Sequence, residues 1–284
     1  MAGTILDQQW LDAAGDIPQD TIDTEQQGYS YIQWVNGNKA LKALGGITYT
    51  GGWALPCANI DAEQVPDWAR GELQHGNGST EVWFAREITV SMVRSRKAWM
   101  VNDGQTNQYF AWNQYDAAKA AGKPRGKLQI LAYVKGLESH GPFMLTLRGS
   151  FARAITEAIL PAFTKYVLGP ANAVNAKRGV KSKFPYRAFW LTIGPMHEAD
   201  GAPHFTEVGQ KPNSSLVVLP VPVGLHDELT TADLGAMFVG KDLLTVTTLT
   251  YQEAEGWATA LEQAAPVTES SAGAVASGDE ELPF

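Results

Sequence analysis

Flat aromatic rings and cationic side chains alternate through the middle of the sequence, between residues 83 and 190. Single-stranded nucleic acid is bound by this combination, because unpaired bases stack on aromatic rings, at about 1–3 kcal/mol per base, while Lys and Arg contact the phosphates. An individual Trp or Phe in a strand is more often a core residue, so the prediction applies to the patch as a whole. The predicted nucleic-acid-binding residues are Arg86, Arg94, Arg96, Lys97, Trp99, Trp112, Arg125, Lys127, Lys177, Arg178, Lys181, Lys183, Tyr186 and Arg187.

The charge of the chain is segregated along its length. The formal net charge is −8, yet residues 1–30 hold six acidic and no basic residues, and residues 242–284 hold eight acidic and no basic residues. Residues 86–187 hold 17 basic and five acidic residues, a local net charge of +12. This middle segment is therefore the part of the chain that we expect to bind a polyanion.

Signatures of nucleotide-dependent and metal-dependent enzymes are missing from the sequence. It has no Gly-x4-Gly-Lys-Ser/Thr phosphate loop, no Gly-x-Gly-x-x-Gly before a helix and no His-Glu-x-x-His pair. The group His197, Glu198, Asp200 and His204 could contact a metal ion, but a polar loop is the preferred interpretation. The sequence therefore predicts a binding protein with no catalytic residues, no metal and no cofactor.

The hydrophobic pattern predicts a mainly β protein with α-helical additions. Apolar residues at every second position mark the clearest strand, over residues 81–94, where the polar Arg86 interrupts the set. A helix is predicted over residues 150–166, with a kink or break at Pro161. The other predicted strands cover residues 98–102, 108–112, 128–137, 143–147, 186–194 and 216–223; residues 243–249 are assigned to strand or helix and residues 252–265 to a final helix.

This order of elements is that of a five-stranded OB barrel, in which a helix lies between the third and fourth strands. The helix over residues 150–166 occupies that place. The cationic loop over residues 177–183 would then precede the fourth strand and lie at the mouth of the barrel. The expected fold is an OB-type five-stranded barrel with an elaborated N-terminal β region and a disordered acidic C-terminal tail.

Composition divides the chain into four segments. Neither a secretory signal nor an apolar run of about 18–20 residues is present, so we expect a cytoplasmic, nucleoid-associated protein that does not bind membranes. The single Cys57 cannot form an internal disulfide, so stability must come from the core, helped by homo-oligomerisation. The segments are an acidic flexible leader (1–28), an N-terminal β-rich region (29–80), an OB-like nucleic-acid-binding domain with a C-terminal helix (81–265) and a disordered acidic tail with a partner-docking tip (266–284).

The sequence ends in an acidic tip with a terminal aromatic residue. This tip resembles the C-terminal tip of bacterial and some phage single-stranded DNA-binding proteins, over the last six residues and, more loosely, in its layout of domain, linker and tip. The resemblance implies that the terminal ring and its carboxylate enter a pocket on partner proteins while the acidic residues meet a basic rim. Two Glu stand where the family usually has Asp. The implied partner-binding residues are Asp279, Glu280, Glu281, Leu282, Pro283 and Phe284.

The patch, the charge distribution and the tip predict sequence-independent binding and protection of single-stranded DNA, or of RNA, with recruitment of replication, recombination and repair proteins. One alternative is a phage- or plasmid-type recombination protein that anneals single strands. Another is a nucleic-acid enzyme, such as a nuclease subunit, that uses the tip for recruitment. Divalent-metal-dependent cleavage of single strands would distinguish this enzyme from a binding protein.

Overall fold

The computed structural model describes residues 29–35, 41–43, 48–49, 51–75, 78–102, 106–208, 215–263 and 267–270. The predicted leader (1–28) and the predicted docking tip (279–284) lie outside the described residues. Among the described residues, no helix is long and apolar enough to cross a membrane.

The protein is mainly β with helical additions, as the sequence predicts. Thirteen strands form one mixed sheet in the order β14-β11-β7-β9-β10-β1-β4-β6-β5-β2-β3, in which β8 also pairs with β7 and β15 pairs with β8; β12 and β13 form a separate pair. The strands are β1 (Tyr31–Val35), β2 (Leu41–Ala43), β3 (Thr48–Tyr49), β4 (Gly52–Pro56), β5 (Ala69–His75), β6 (Gly78–Ala85), β7 (Ile88–Asn102), β8 (Thr106–Ala111), β9 (Arg125–Val134), β10 (Phe143–Arg148), β11 (Leu191–Pro195), β12 (Phe205–Val208), β13 (Ser215–Val218), β14 (Pro220–Val223) and β15 (Val267–Ser270). The helices are α1 (Tyr115–Ala121), the helical segment α2 (149–177), α3 (Thr231–Met237), α4 (Lys241–Glu253) and α5 (Glu255–Gln263).

The longest strand, β7, differs from its prediction at both ends. The predicted strand over residues 81–94 is wrong, because the exposed Arg86 and Glu87 form a turn between β6 and β7. Beyond the turn, β7 continues unbroken through the strand that was predicted separately over residues 98–102. A bulge between Met92 and Arg94 changes which face the later side chains occupy.

The predicted closure into a five-stranded barrel is wrong: the sheet described here is not closed. Strands β7, β9 and β10 pair in succession, α2 follows, and β11 returns to pair with β7. The predicted fifth strand over residues 216–223 is instead two strands, β13 paired with β12 and β14 paired with β11. The place beside β10 is taken by β1, in parallel, which extends the sheet into the N-terminal region.

Two tryptophan side chains connect the N-terminal strands β1 and β4 to strands with which they do not pair. The indole Nε1 of Trp34 on β1 donates to the carbonyl oxygen of Val218 at 3.0 Å, and Nε1 of Trp53 on β4 donates to that of Ile193 at 3.0 Å. Both rings are buried and meet edge to face at 5.1 Å. Each indole N–H satisfies the hydrogen-bonding capacity of a backbone carbonyl, so these side chains connect strands that do not pair with each other.

Helix α2 runs without a break through Pro161, where the sequence predicts a kink or break. Its apolar side chains Phe151, Ile155, Ile159 and Phe163 recur every four residues and are buried against the sheet. A π-helical stretch, Ala154–Ile159, precedes Pro161, and a second, Thr164–Leu168, precedes Pro170. Proline lacks an N–H and its ring crowds the carbonyl four residues earlier, so these wider turns accommodate both prolines within one helix.

The C-terminal helices cover the opposite face of the sheet. Ala254, between α4 and α5, packs with Val93 of β7 and with Leu131 and Tyr133 of β9, and the Tyr133 hydroxyl lies 2.8 Å from that of Thr250. Residues 243–249, assigned to strand or helix, therefore belong to a helix, α4. We call this face of the sheet the α4 face and the other the α2 face.

Part of the segment predicted to be a disordered tail forms a strand. Residues 267–270, placed in that tail by composition, form β15, which pairs antiparallel with the outer edge of β8 from Val267 opposite Tyr109 to Ser270 opposite Thr106. Composition alone misses this strand because its stabilisation comes from the backbone bonds of a sheet edge, which accept almost any sequence. The division of the chain at residue 80 stays a prediction, although strands from both sides of it belong to one sheet.

Candidate nucleic-acid interface

Strand β7 presents two different sets of predicted binding residues on its two faces. Successive side chains of a strand point to opposite faces, and directly paired residues share a face. Lys97 pairs with Leu128, which belongs to the core beneath α2, so Lys97 and Trp99 lie on the α2 face. Arg94 and Arg96 lie on the α4 face, where α4 and α5 pack. The alternation of β7 thus separates residues that the sequence analysis placed in one patch.

On the α2 face, Lys97, Trp99, Trp112 and Tyr115 form what we call the aromatic platform. The indoles of Trp99 and Trp112 stack with centroids 4.2 Å apart and planes 7° from parallel, and Nε1 of Trp99 donates to the carbonyl oxygen of Trp112 at 2.9 Å. The Tyr115 ring meets Trp99 edge-on at 5.0 Å, and the Lys97 ammonium lies 5.5 Å from the Trp112 ring centroid. Trp112 and Tyr115 are each 44% exposed.

The end of β8, the turn after it and α1 hold the rings of the aromatic platform in place. Trp112 follows the last residue of β8, and the turn after it is closed by Gln114, whose N–H donates to the Ala111 carbonyl at 2.9 Å while its Oε1 accepts from the Ala111 N–H at 3.1 Å. Tyr115 is the first residue of α1, and α1 is held by Ala118 packed on Val101 and Phe110. The rings are therefore carried by buried elements rather than by a mobile loop.

Arg125 and Lys127 extend the positive charge across the neighbouring strand. In the sheet register Arg125 pairs with Met100, and Lys127 pairs with Ala98 on one side and Arg148 on the other. These pairs share a face with Arg96, so Arg125 and Lys127 lie on the α4 face, across the sheet from the aromatic platform. Arg148 and Tyr115 lie within the alternating segment of residues 83–190 but are not among the predicted binding residues.

On the α4 face, Arg94 and Arg187 share the ring of Tyr251 in an arrangement that we call the Tyr251 clamp. Their Cζ atoms lie 3.9 and 4.6 Å from the ring centroid. Nε of Arg94 donates to the Tyr251 carbonyl at 2.6 Å, and Nε of Arg187 donates to the Thr248 hydroxyl at 3.2 Å. Burial is the main cause of a lowered pKa of the Arg187 guanidinium; Tyr251 raises this pKa and Arg94 lowers it.

Arg96 makes a similar contact one step along β7. Its Cζ lies 4.2 Å from the Trp257 ring, its Nε donates to Oε1 of the buried Gln129 at 2.7 Å and one of its terminal nitrogens donates to the Trp257 carbonyl at 2.7 Å. These contacts anchor α5 on the sheet. The sequence analysis missed Tyr251 and Trp257 because both lie in the acidic C-terminal segment, outside the cationic pattern.

The predicted cationic loop forms a separate, fully exposed group. It begins at the last turn of α2, where Gly179 has φ +76°, a conformation that a side chain would strain. Tyr186 closes the loop by stacking on Phe163 at 5.8 Å and by a 2.5 Å contact between its hydroxyl and that of Thr164. Within the described part of the chain, no salt bridge involves the loop cations, which are Lys177, Arg178, Lys181 and Lys183.

Arg86 belongs to none of these groups. It contacts Nδ1 of His197 at 3.0 Å and donates to the carbonyl oxygen of Gly201 at 3.2 Å, so it fastens the loop after β11. In the same loop Glu198 and His204 pair at 2.6 Å. No group of three His, Cys, Asp or Glu able to hold a metal occurs among the described residues.

The predicted residues thus form three groups, while Arg86 stands apart. The groups are the aromatic platform on the α2 face, the Tyr251 clamp with Arg96, Arg125 and Lys127 on the α4 face, and the loop over residues 177–183. No family model matches the chain, and no match was found among curated proteins or solved structures.

Proposed function

We propose that the protein binds single-stranded DNA with little sequence preference, and that the aromatic platform is where bases stack. The single observation that carries this proposal is the parallel Trp99–Trp112 pair, whose outer ring is 44% exposed. An exposed ring of this kind is sequence-tolerant, because every base offers a π face. Lys97 is exposed beside it, and its flexible side chain can turn to a phosphate.

The distribution of charge supports the same proposal. Four exposed cations in the loop over residues 177–183, which form no salt bridge within the described residues, and the cations Arg125 and Lys127 of β9 offer contacts for a polyanionic backbone. The succession β7, β9, β10, α2 and β11 supports an open relative of the OB arrangement, a fold that often binds oligonucleotides. Most of the affinity should therefore depend on salt.

Recruitment through residues 279–284 is the second half of the proposal. It rests on the resemblance of this tip to that of bacterial and phage single-stranded DNA-binding proteins. Because β15 pairs with β8 and β8 pairs with β7, residues 267–270 lie two strands away from Trp99 and next to the strand that leads into Trp112. We further propose a cytoplasmic, homo-oligomeric protein that hands its bound strand to replication and repair enzymes.

A fluorescence titration tests strand binding. Intrinsic Trp emission is followed while dT or U oligomers are added at two salt concentrations, with a duplex of the same length as comparison. We expect quenching by single strands, weaker at high salt, and a Trp112→Ala variant that binds about 1–3 kcal/mol more weakly, roughly 5- to 150-fold.

Phe205→Ala is the matched control, because Phe205 is also 44% exposed but lies on β12, in the separate sheet. Its affinity should equal that of the wild type. Preference for duplex, or equal affinities for the Trp112→Ala and wild-type proteins, would contradict base stacking on the aromatic platform.

A further inference from the structure

We propose that the Tyr251 clamp is a phosphate-binding site, distinct from the aromatic platform on the other face of β7. Two arginines from distant parts of the chain, Arg94 on β7 and Arg187 in the turn before β11, meet over one ring from a third element, α4. Each guanidinium is only partly exposed. The site is therefore assembled by the tertiary fold and not by a run of surface charge.

The hydrogen bonds of the two arginines orient them for a further ligand. Each uses its Nε to bind the α4 segment, Arg94 at the Tyr251 carbonyl and Arg187 at the Thr248 hydroxyl. A guanidinium has five N–H donors. Within the described residues, no atom accepts a hydrogen bond from the four terminal N–H groups of either arginine. Fixed at Nε and stacked on a ring, each side chain presents its remaining donors without further loss of side-chain entropy.

No counter-ion neutralises this pair in the described part of the chain. Neither arginine forms a salt bridge there, and the influences that shift the pKa of Arg187 are burial, Tyr251 and Arg94, with no carboxylate among them. Two like charges at one partly buried ring repel each other more strongly than they would in water. An anion bound between them would remove that repulsion, which is why an unneutralised pair indicates a ligand.

The donor geometry selects the class of anion. Arginine forks bind the oxygens of carboxylate and phosphate in pairs of parallel hydrogen bonds, and a phosphate group offers oxygens to two forks at once. A phosphate of a nucleic-acid backbone and a free phosphate share this chemistry. The probes are therefore a dT oligomer for the first source and inorganic phosphate for the second.

Chemical footprinting of the wild-type, full-length protein tests the site without altering the fold. Phenylglyoxal modifies accessible guanidinium groups, and mass spectrometry gives the rate at each arginine. We expect either probe to slow modification of Arg94 and Arg187 several-fold while leaving Arg153 unchanged, since Arg153 is exposed and paired only with Glu157 on α2.

Protection by the oligomer alone assigns the site to a nucleic-acid backbone, and protection by inorganic phosphate assigns it to phosphate groups in general. If neither probe protects the two arginines, the inference is wrong, whatever the aromatic platform does. If the wild type fails to bind oligomers but inorganic phosphate protects Arg94 and Arg187, the proposed function fails while the clamp stands.

A variant confirms that the pair acts together. Arg187→Lys retains the charge but loses the planar fork, and it should abolish most of the protection of Arg94, whereas Arg153→Lys should leave it intact. Thermal melting verifies that both variants are folded. Undiminished protection of Arg94 in folded Arg187→Lys would overturn the proposal of a shared ligand.

Discussion

Trp112 and Tyr251 have similar exposure, 44% and 37%, and different surroundings. Trp112 stacks on another indole, with a flexible Lys nearby, so part of its π surface is available to a base. Tyr251 is occupied by two guanidinium groups held through their Nε atoms. At the scale of single residues, the first ring is suited to stacking a ligand and the second to positioning cations for one.

Gly51 provides a residue-scale prediction about stability. It has φ +72°, and a Cβ at this position would lie 2.7 Å from Val218 Cγ1 and 2.8 Å from Pro195 Cβ. We expect Gly51→Ala to lower the free energy of unfolding by about 2–5 kcal/mol, the sum of left-handed backbone strain and overpacking. Denaturant unfolding measures the change.

Gly201→Ala is the control for that experiment, because Gly201 has φ +82° but its Cβ would meet nothing within 4 Å. This variant should lose only the backbone component, about 1–2 kcal/mol. Equal losses in the two variants would show that Gly51 is not wedged against β11 and β13.

At the scale of elements, the strands β9 and β10 and the helix α2 were predictable because periodic apolar residues dominate them. The end of β6 was not predictable, because in the sequence Arg86 is a single polar residue within an apolar strand pattern. Its contact with His197 is visible only in the tertiary structure. The continuity of α2 through Pro161 depends on π-helical turns, which no sequence period encodes. Local pattern thus predicts which elements exist, and tertiary contacts decide where they end.

The candidate site also combines features that the local sequence pattern predicts with features that depend on tertiary contacts. The alternation of rings and cations identified Lys97, Trp99 and Trp112, which the structure brings together. It did not separate them from Arg94, because the sequence predicted two strands, over residues 81–94 and 98–102, whereas one unbroken β7 runs through Arg94 and Lys97 and places them on opposite faces. The alternating pattern also could not identify Tyr251, which is more than 150 residues from Arg94 in the sequence. The two residues come into contact only because α4 packs on β7.

Helix α3 gives a pH prediction at the element scale. Asp233 and Thr230 form a capping box, in which the Thr230 N–H and hydroxyl both donate to the Asp233 carboxylate at 2.7 Å. These bonds lower the pKa of Asp233 below its usual value of 3.8. A carboxyl with a lowered pKa stabilises the fold above its ordinary pKa, and this contribution is lost as the pH falls through the lowered value.

Asp233→Asn should therefore be slightly less stable than the wild type near neutral pH, and the difference should shrink as the pH falls below 3.8. Urea denaturation midpoints measured across that range report it. Asp242→Asn is a suitable control, since it removes the same charge from the first turn of α4, where no capping bond to Asp242 occurs in the described structure. A difference that grows on acidification would contradict the capping role.

At the scale of the whole molecule, the acidic and basic regions are joined in one chain. Residues 242–284 carry no basic residues and eight acidic residues, five of them in α4, α5 and β15 and three in the tip, and residues 86–187 carry a net charge of +12. Tethering keeps the local concentration of the three tip carboxylates near the cations high, on the order of millimolar for short linkers. The acidic tail should therefore compete weakly with DNA.

Deletion of residues 279–284 should leave single-strand affinity equal or slightly higher, with the gain confined to low salt, where screening is weak. The same deletion should abolish capture of replication and repair proteins in a pull-down. Substituting the three acidic residues of the tip by Gln, with Phe284 retained, separates the two effects by removing competition through charge alone. Loss of DNA affinity with intact partner capture would mean that the tip belongs to the DNA-binding surface.

The pairing of β15 with β8 limits the distance that the tip can reach from the sheet. Ser270 is held opposite Thr106, which leaves residues 271–284, and fourteen residues can span at most about 50 Å even when fully extended. A partner docked on Phe284 would thus remain within about 50 Å of the β7–β8 hairpin and of any strand stacked on Trp112. Without β15 the same tip would start at Gln263, and this distance would lengthen by about 25 Å. If enzymes dock on the tip as proposed, these four residues of edge strand would keep them close to a DNA strand stacked on Trp112.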